Sequence, residues 1–417
     1  MPDISIPLLV ALYLCAIGSG FVPQTILSFA ILAIVCLLFF SDGLYYALPI
    51  MIFYYSVFGV VFGISIFRIY TILVLVRFIL KEHRVNRSFA IIPVLIYTLY
   101  CMLVLSAYNV QRAIFVVVSI LCLLVVLSYI SNDQDRARSF FSLYTIAALC
   151  SFVTGLVQGN SMAYSEMMVG GYTEMNRFMA TFEDPNYMGF FFTIAIFATV
   201  SLQLFPKVIR AIVVITLSIM ILSSLSMTAI IGNLILWVVY LLFGKKINIK
   251  TGLILLAVIL VVSYLLSSGI LDSIPFMQTL EGRIEYKILE WRAGNVNAVT
   301  TGRTNHVKDH MDYFQSQSIL RQLFGGNFTT PYGTDLPGQQ STVAHNEYVD
   351  ELLNVGIIGE IFIVSYLIYN TIVCLKNYFQ SGENLDLMKV IMKFIWFYYA
   401  ITLTVFLDYR FMLPYFI

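Results

Sequence analysis

Arg177, Arg303 and His345 are the residues of this chain whose types suit chemistry, and each interrupts an otherwise apolar sequence. A guanidinium grips a phosphate through parallel N–H bonds, and an imidazole takes a proton from a hydroxyl near neutral pH. Two guanidiniums and one imidazole held over a bilayer suit transfer chemistry on an anionic, lipid-linked substrate. In Asn176 to Gly189 (NRFMATFEDPNYMG), Asp184 is placed as an N-cap and Pro185 suits a first helical turn, so a helix starts there. Its open amides and dipole favour an anion beside Arg177. The competing reading pairs Arg177 with Glu183 or Asp184 to pin the loop. In Thr301 to Asp312 (TGRTNHVKDHMD), Arg303 follows Gly302 at a helix start. His306 and His310 have the i, i+4 spacing that can ligate a metal, but no third ligand is near, and a solvated helix face is the plainer reading.

The third stretch, Ala344 to Gly359 (AHNEYVDELLNVGIIG), puts His345 at the outer start of a helical run over residues 346–375. That run exceeds one bilayer thickness, so its first two turns or so are expected to project above the hydrocarbon. Glu347, Asp350 and Glu351 either raise the basicity of His345 or solvate the helix face. Gly356 and Gly359 allow a second helix to approach closely. Glu360 lies deeper, where a carboxylate needs a partner or a polar cavity. A Ser-His-Asp triad, a phosphate-binding Gly-rich motif, a dinucleotide fingerprint and a metal-binding motif are all absent from the sequence.

The elements that position these residues are membrane helices. Of 417 residues, 60% are hydrophobic and 11% charged, against about 25% charge in soluble domains, and the mean hydropathy is +0.88. A net charge of +1 gives no argument for nucleic acid. The first apolar run lacks a basic flank and leads straight into another, so no cleavable signal peptide is expected. Cys15, Cys36, Cys101, Cys122, Cys150 and Cys374 all lie in apolar runs and read as buried hydrophobes, not disulfides or zinc ligands.

Candidate spans are 4–22, 24–41, 43–62, 64–80, 88–108, 113–131, 139–158, 185–205, 208–224, 227–243, 252–268, 346–375 and 386–407, about thirteen in all. Gly59 and Gly63 mark a break or a tight helix contact in the region of the pair between 43 and 80. Lys81, Arg84, Arg87, Arg136, Arg138, Lys207, Arg210, Lys245, Lys246, Lys250, Lys376 and Lys389 fall in loops of one parity, so that side is cytoplasmic and the N-terminus lies inside. Arg77, near an inner helix end, is expected to snorkel. The organisation is an N-terminal bundle (1–158), a central region (159–268) opening on an external loop (159–184), a large external loop (269–345) and C-terminal helices (346–417). Within the large loop, Glu281 to Ala293 has helical spacing of Ile284, Ile288 and Trp291, a stripe suited to the membrane surface. A second helix is expected over His306 to Ser316, and the turn-rich Gly325 to Gly338 reads as irregular.

Three stretches together resemble the O-antigen ligase and polysaccharide polymerase superfamily, the Wzy-type polymerases and their WaaL-type relatives. They are RFMATFEDPNYMG, TGR followed by LFGG, and HNEYVDELLNVGIIGE. The first 150 or so residues match only in being apolar. The resemblance implies an all-α, GT-C-related polytopic protein of a bacterial cytoplasmic membrane. It implies polymerisation of undecaprenyl-diphosphate-linked repeat units on the outer face, without metal or other cofactor. A flippase and a chain-length regulator would be partners. Arg177 and Arg303 would bind the diphosphate and His345 would be catalytic. Asn186, Arg283, Arg292, Asn346, Glu347 and Tyr348 are further candidate substrate contacts, and Tyr164, Tyr172, Tyr313, Tyr332 and Trp291 candidates for stacking on sugars. Where many ligases carry a Ser-Arg pair, this chain reads Leu225-Ser226-Met227-Thr228, which favours polymerase over ligase. Transfer of the glycan to lipid A–core or protein, and small-anion transport, are the alternatives.

Overall fold

Long apolar runs with few interior prolines fold as helices, and the described residues are 78% helical. It is a computed structural model that describes residues 5–81, 91–130, 133–168, 171–244, 275–326, 344–403 and 410. In the N-terminal part, α1 (Ser5–Ile17) and α2 (Gln24–Leu38) precede two short helices, α3 (Gly43–Tyr46) and α4 (Leu48–Phe53), then α5 (Ile66–Lys81), α6 (Ile91–Ile130) and α7 (Gln134–Gln158). The central part holds α8 (Pro185–Ser201), α9 (Lys207–Ser223) and α10 (Met227–Phe243). Next come α11 (Pro275–Arg292), α12 (Val296–Val299), α13 (Arg303–Ser316) and α14 (Ile319–Phe324), and finally α15 (Glu347–Ser381) and α16 (Asn384–Ala400).

Helix α8 is the axis of the core. Apolar on every side, it buries Phe190, Phe191, Phe192, Ile194, Ile196 and Phe197. It packs against α7, α9, α10 and α16. Phe53 of α4 joins Tyr144, Phe182 and Phe191 edge-on or tilted beside it. The outer faces are apolar too. Val208, Ile212, Ile215 and Ile219 of α9, and Ile231, Leu234, Ile235, Val238 and Leu242 of α10, are exposed at helical spacing. Helices Gln134–Gln158 and Glu347–Ser381 are long and apolar enough to cross a membrane, and several shorter apolar helices accompany them.

The two ends of this bundle differ. At one, Arg77 pairs with Asp42 at 2.5 Å, Tyr129 donates to the same carboxylate at 2.9 Å, and Arg136 lies over the Tyr129 ring. At the other, α7 stops at Gly159 (φ 64°), and its Gly155 meets the Ala180 backbone so closely that a β-carbon would fall 2.5 Å away. The 25 residues of α7 separate the ends by about 37 Å at about 1.5 Å per residue.

Several expectations are corrected. Residues 159–184 are not a bare loop: β3 (Ser161–Met168) and β4 (Gly171–Phe178) form an antiparallel hairpin pairing Met162 with Arg177, so the fold is not all-α. A second, smaller hairpin, β1 (Val60–Val61) with β2 (Ile64–Ser65), falls within 43–80. No single helix covers 43–62: Pro49 opens α4, and Phe62 and Gly63 take positive φ. Residues 43–54 of that segment are buried in the core, whereas Ser56, Val60 and Phe62 are exposed. Spans 88–108 and 113–131 are joined as one helix from Ile91, continuous through Arg112. Parity counted over those separate spans therefore no longer orients the chain. Arg77 does not snorkel: it is buried, paired with Asp42 and bonded to the Phe39 carbonyl at 2.6 Å. Cys36 is exposed on the outer face of α2. The expected span 252–268 and most of Gly325 to Gly338 lie outside the described residues, as do the ends of 88–108 and 386–407.

Candidate functional site

The elbow between α9 and α10, Ser224 to Thr228, is where the distant parts of the chain meet. Leu225 turns it with φ 50°. Ser226 caps α10 by accepting the Ala229 amide at 3.2 Å. Arg177 donates through Nε to the Ser224 carbonyl at 3.1 Å, and Arg283 donates to the Leu225 carbonyl. Arg303 donates to the Thr228 hydroxyl at 3.0 Å. Tyr398 of α16 closes the far side with a 2.8 Å bond to the Thr228 carbonyl. Three arginines from three separate elements thus hold one five-residue turn.

Arg177 reaches the elbow from the penultimate position of β4, at the open end of the hairpin, and is buried. Its Nη2 donates to Asn186 Oδ1 at 3.4 Å, an oxygen that also accepts from Ser226 at 2.5 Å. The Asn186 amide nitrogen donates to Asp184 at 2.7 Å. Asn186 is therefore engaged by the protein on both ends of its amide. Asp184 is the N-cap expected from sequence, accepting the Asn186 backbone amide at 2.6 Å, with Pro185 in the first turn. The anion favoured at this helix end is thus supplied by the chain itself. Glu183 turns away, accepting from Ser56 at 2.7 Å.

Arg303 is the first residue of α13 and is partly open. Thr301 (φ 57°) and Gly302 (φ 85°) make the left-handed turn that aims it. Lys287 of α11 braces that turn, donating to the Ala298 carbonyl at 3.1 Å and the Thr301 hydroxyl at 2.9 Å. Glu166 of β3, also buried, bridges Lys287 at 3.1 Å and Arg283 at 2.5 Å. Burial pushes the Lys287 ammonium down, and Glu166 opposes that shift.

His345 lies just before α15, in a left-handed conformation (φ 53°) with an open face to solvent. Its ring is 6.1 Å from that of His306, at a steep angle. Crowding by protein, then Arg303 and His306, depress the imidazole from 6.5 to about 4, while Asp184 acts the other way. His345 is thus neutral at pH 7 and sits within electrostatic reach of Arg303 and of the α8 cap. His310 is buried with Nδ1 2.7 Å from the His306 carbonyl. The two histidines of α13 therefore face different surroundings, and the shared solvated face expected for them is not found. Among the described residues, no group of three or more His, Cys, Asp or Glu is arranged to hold a metal ion.

The other predicted contacts divide. Arg283 is buried between Glu166 and the elbow. Asn346 caps α15 through the Val349 amide and donates to the Ile401 carbonyl at 3.2 Å. Glu347, Asp350 and Glu351 are buried, so they do not solvate a helix face; Asp350 accepts the Ala344 amide at 3.0 Å. Tyr348 is half-buried, packed against the core. Arg292 is exposed at the end of α11, apart from the contacts at the elbow, beside exposed Trp291. Tyr332 lies outside the described residues, as do the side chains of Tyr164 and Tyr172.

Helix α15 breaks at Gly356 (φ 72°, ψ 178°), two and a half turns past its start. Gly325 fills the break: a β-carbon on it would lie 2.2 Å from the Asn354 carbonyl oxygen, and one on Gly356 would lie 2.4 Å from that of Leu323. Gly326 donates to the Asn354 carbonyl at 2.8 Å, and Tyr100 of α6 donates to the Phe324 and Val355 carbonyls at 2.9 and 2.5 Å. The LFGG stretch is thus the partner that the small residues of α15 admit.

Sequence reasoning missed Glu166, Lys287 and the elbow. A hairpin signal was present in Gly170-Gly171 between two polar-apolar runs. Seven non-glycine residues take positive φ among the described residues, and four of them, Ala180, Leu225, Thr301 and His345, border this site. Strained backbone concentrates where geometry is held for function. A scan against protein-family models finds no match for this chain, and a search of curated proteins finds none either.

Proposed function

We propose that this chain is a multi-pass bacterial cytoplasmic-membrane glycosyltransferase that polymerises undecaprenyl-diphosphate-linked repeat units on the external face, as the Wzy-like stretches suggest. The observation that carries the reading is the elbow: Arg177 and Arg303, far apart in sequence, both bond to it, and His345 lies beside Arg303. The exposed apolar faces of α9 and α10 support a lipid setting. Arg136, Arg138, Lys207 and Arg210 sit at helix ends opposite the elbow, which supports that end as cytoplasmic.

In this reading an acceptor sugar hydroxyl attacks the anomeric carbon of the donor. The new C–O bond forms as the bond to the diphosphate breaks, and the electron pair leaves with the diphosphate. The hydroxyl proton passes to His345. Arg303, the more open cation, meets the diphosphate, and Arg177 adds charge from beneath the elbow, where the leaving oxygen becomes most negative. Diphosphate is already a good leaving group, so the proposal requires no metal. Alanine at Arg177, Arg303 or His345 should abolish polymer in a host carrying the cognate glycan while the protein remains in the membrane. Unchanged polymer length in all three would end the assignment. The same site would serve a ligase, which the acceptor covalently joined to the product identifies. A second reading, small-anion transport, draws on the break in α15, since transporters also use broken helices. Exchange of a labelled anion in proteoliposomes lacking glycan would favour it.

A further inference from the structure

We infer that Glu166 is a positioning residue that sets Arg303 against the elbow, an assignment that rests on the diphosphate-binding reading above. Its carboxylate links the two sides of the site through its cationic partners. Through Oε2 it meets Arg283, whose other nitrogen holds the Leu225 carbonyl. Through Oε1 it meets Lys287 and lies 3.5 Å from the Thr301 hydroxyl. Lys287 in turn holds Thr301 and Ala298, which flank the left-handed step into Arg303. The elbow and the start of α13, in direct contact through the Arg303–Thr228 bond, are thus also linked through one acidic side chain. The hairpin that carries Glu166 on β3 carries Arg177 on β4, so a single element sets both cations of the site.

The chemistry of the join matters. A carboxylate between two cations is satisfied by both, and its loss leaves Arg283 and Lys287 facing each other across a buried gap. Arg283 keeps its carbonyl partner and Lys287 keeps its two, so the expected consequence is displacement of the turn, not collapse of the fold. Misplacement of a binding group by about 1 Å costs about a hundredfold in rate. Glu166 touches neither Arg303 nor His345, so its effect is indirect.

The test uses the full chain in lipid nanodiscs, titrated with undecaprenyl diphosphate as the probe and followed by thermal shift. Wild type should bind. Glu166→Gln should weaken binding at least tenfold and lower the apo melting temperature, because two cations lose their shared carboxylate, and Glu166→Asp should restore part of the affinity. Lys287→Met, which cuts only the arm toward Thr301, should weaken binding in the same direction by a smaller factor, and it serves as the readout if Glu166→Gln fails to fold. Wild-type affinity in Glu166→Gln, or in Lys287→Met where that variant stands in, overturns the assignment of Glu166 alone. Failure of the wild type to bind the probe instead overturns the diphosphate reading on which it rests.

Discussion

At the scale of single residues, His345 is set apart by what surrounds it. Crowding and Arg303 hold its imidazole near 4, below the 6.5 of an unperturbed histidine. A group depressed on folding contributes stability that is complete above its unfolded value and is lost as pH falls through its folded value. The chain should therefore lose stability between pH 6.5 and 4, and histidine replacement by glutamine should flatten that limb in thermal melts. Catalysis adds a second signature. Under the proposed function, a bound diphosphate would screen Arg303 and return basicity to the ring. The acid limb of kcat should accordingly lie at higher pH than that of kcat/KM, because the first reports the complex and the second the free enzyme. Coincident limbs would remove His345 as the base. Much at this scale was legible in the chain itself. Asp184 and Pro185 announce a helix start by type and order, and the helix is there. Glu166 was not legible, since a lone glutamate in a polar stretch says nothing until the hairpin register places it opposite Thr173 and within reach of α11.

At the scale of elements, the break in α15 and the elbow divide the work: one sets the height of His345, the other gathers the cations. Glycine is required at the break because Gly325 and Gly356 meet backbone to backbone, each with positive φ. Gly356→Ala and Gly325→Ala should each abolish polymer and lower the melting temperature, whereas Gly382→Ala, at a helix cap with open space, should be far milder. Equal effects at all three sites would mean that the crossing is not special. Apolar periodicity found most helices here, including α11 and α13 in the large outer segment. It failed over 43–62, because residues 43–54 are enclosed by protein and need no continuous helix, and Pro49 opens a short one there. It also divided α6 at Arg112, where a charge alone was taken for a loop.

At the scale of the molecule, a basic end and a site end stand a bilayer apart along α7. In a cysteine-free background, Thr304→Cys beside Arg303 should react with an impermeant maleimide from outside intact cells, and Lys207→Cys only after permeabilisation; both positions are exposed. The reverse pattern would invert the chain and remove the lipid-linked substrate from reach. The same view shows two bonds at positions that bracket residues 327–343 in the sequence. Gly326 is fastened to Asn354 and Ala344 to Asp350, about one turn apart on the upper part of α15. A stretch whose two ends are moored side by side can change length cheaply, since doubling it costs only about 0.6 kcal/mol of closure entropy. An epitope spliced between Gly326 and Ala344 should therefore leave both moorings in place.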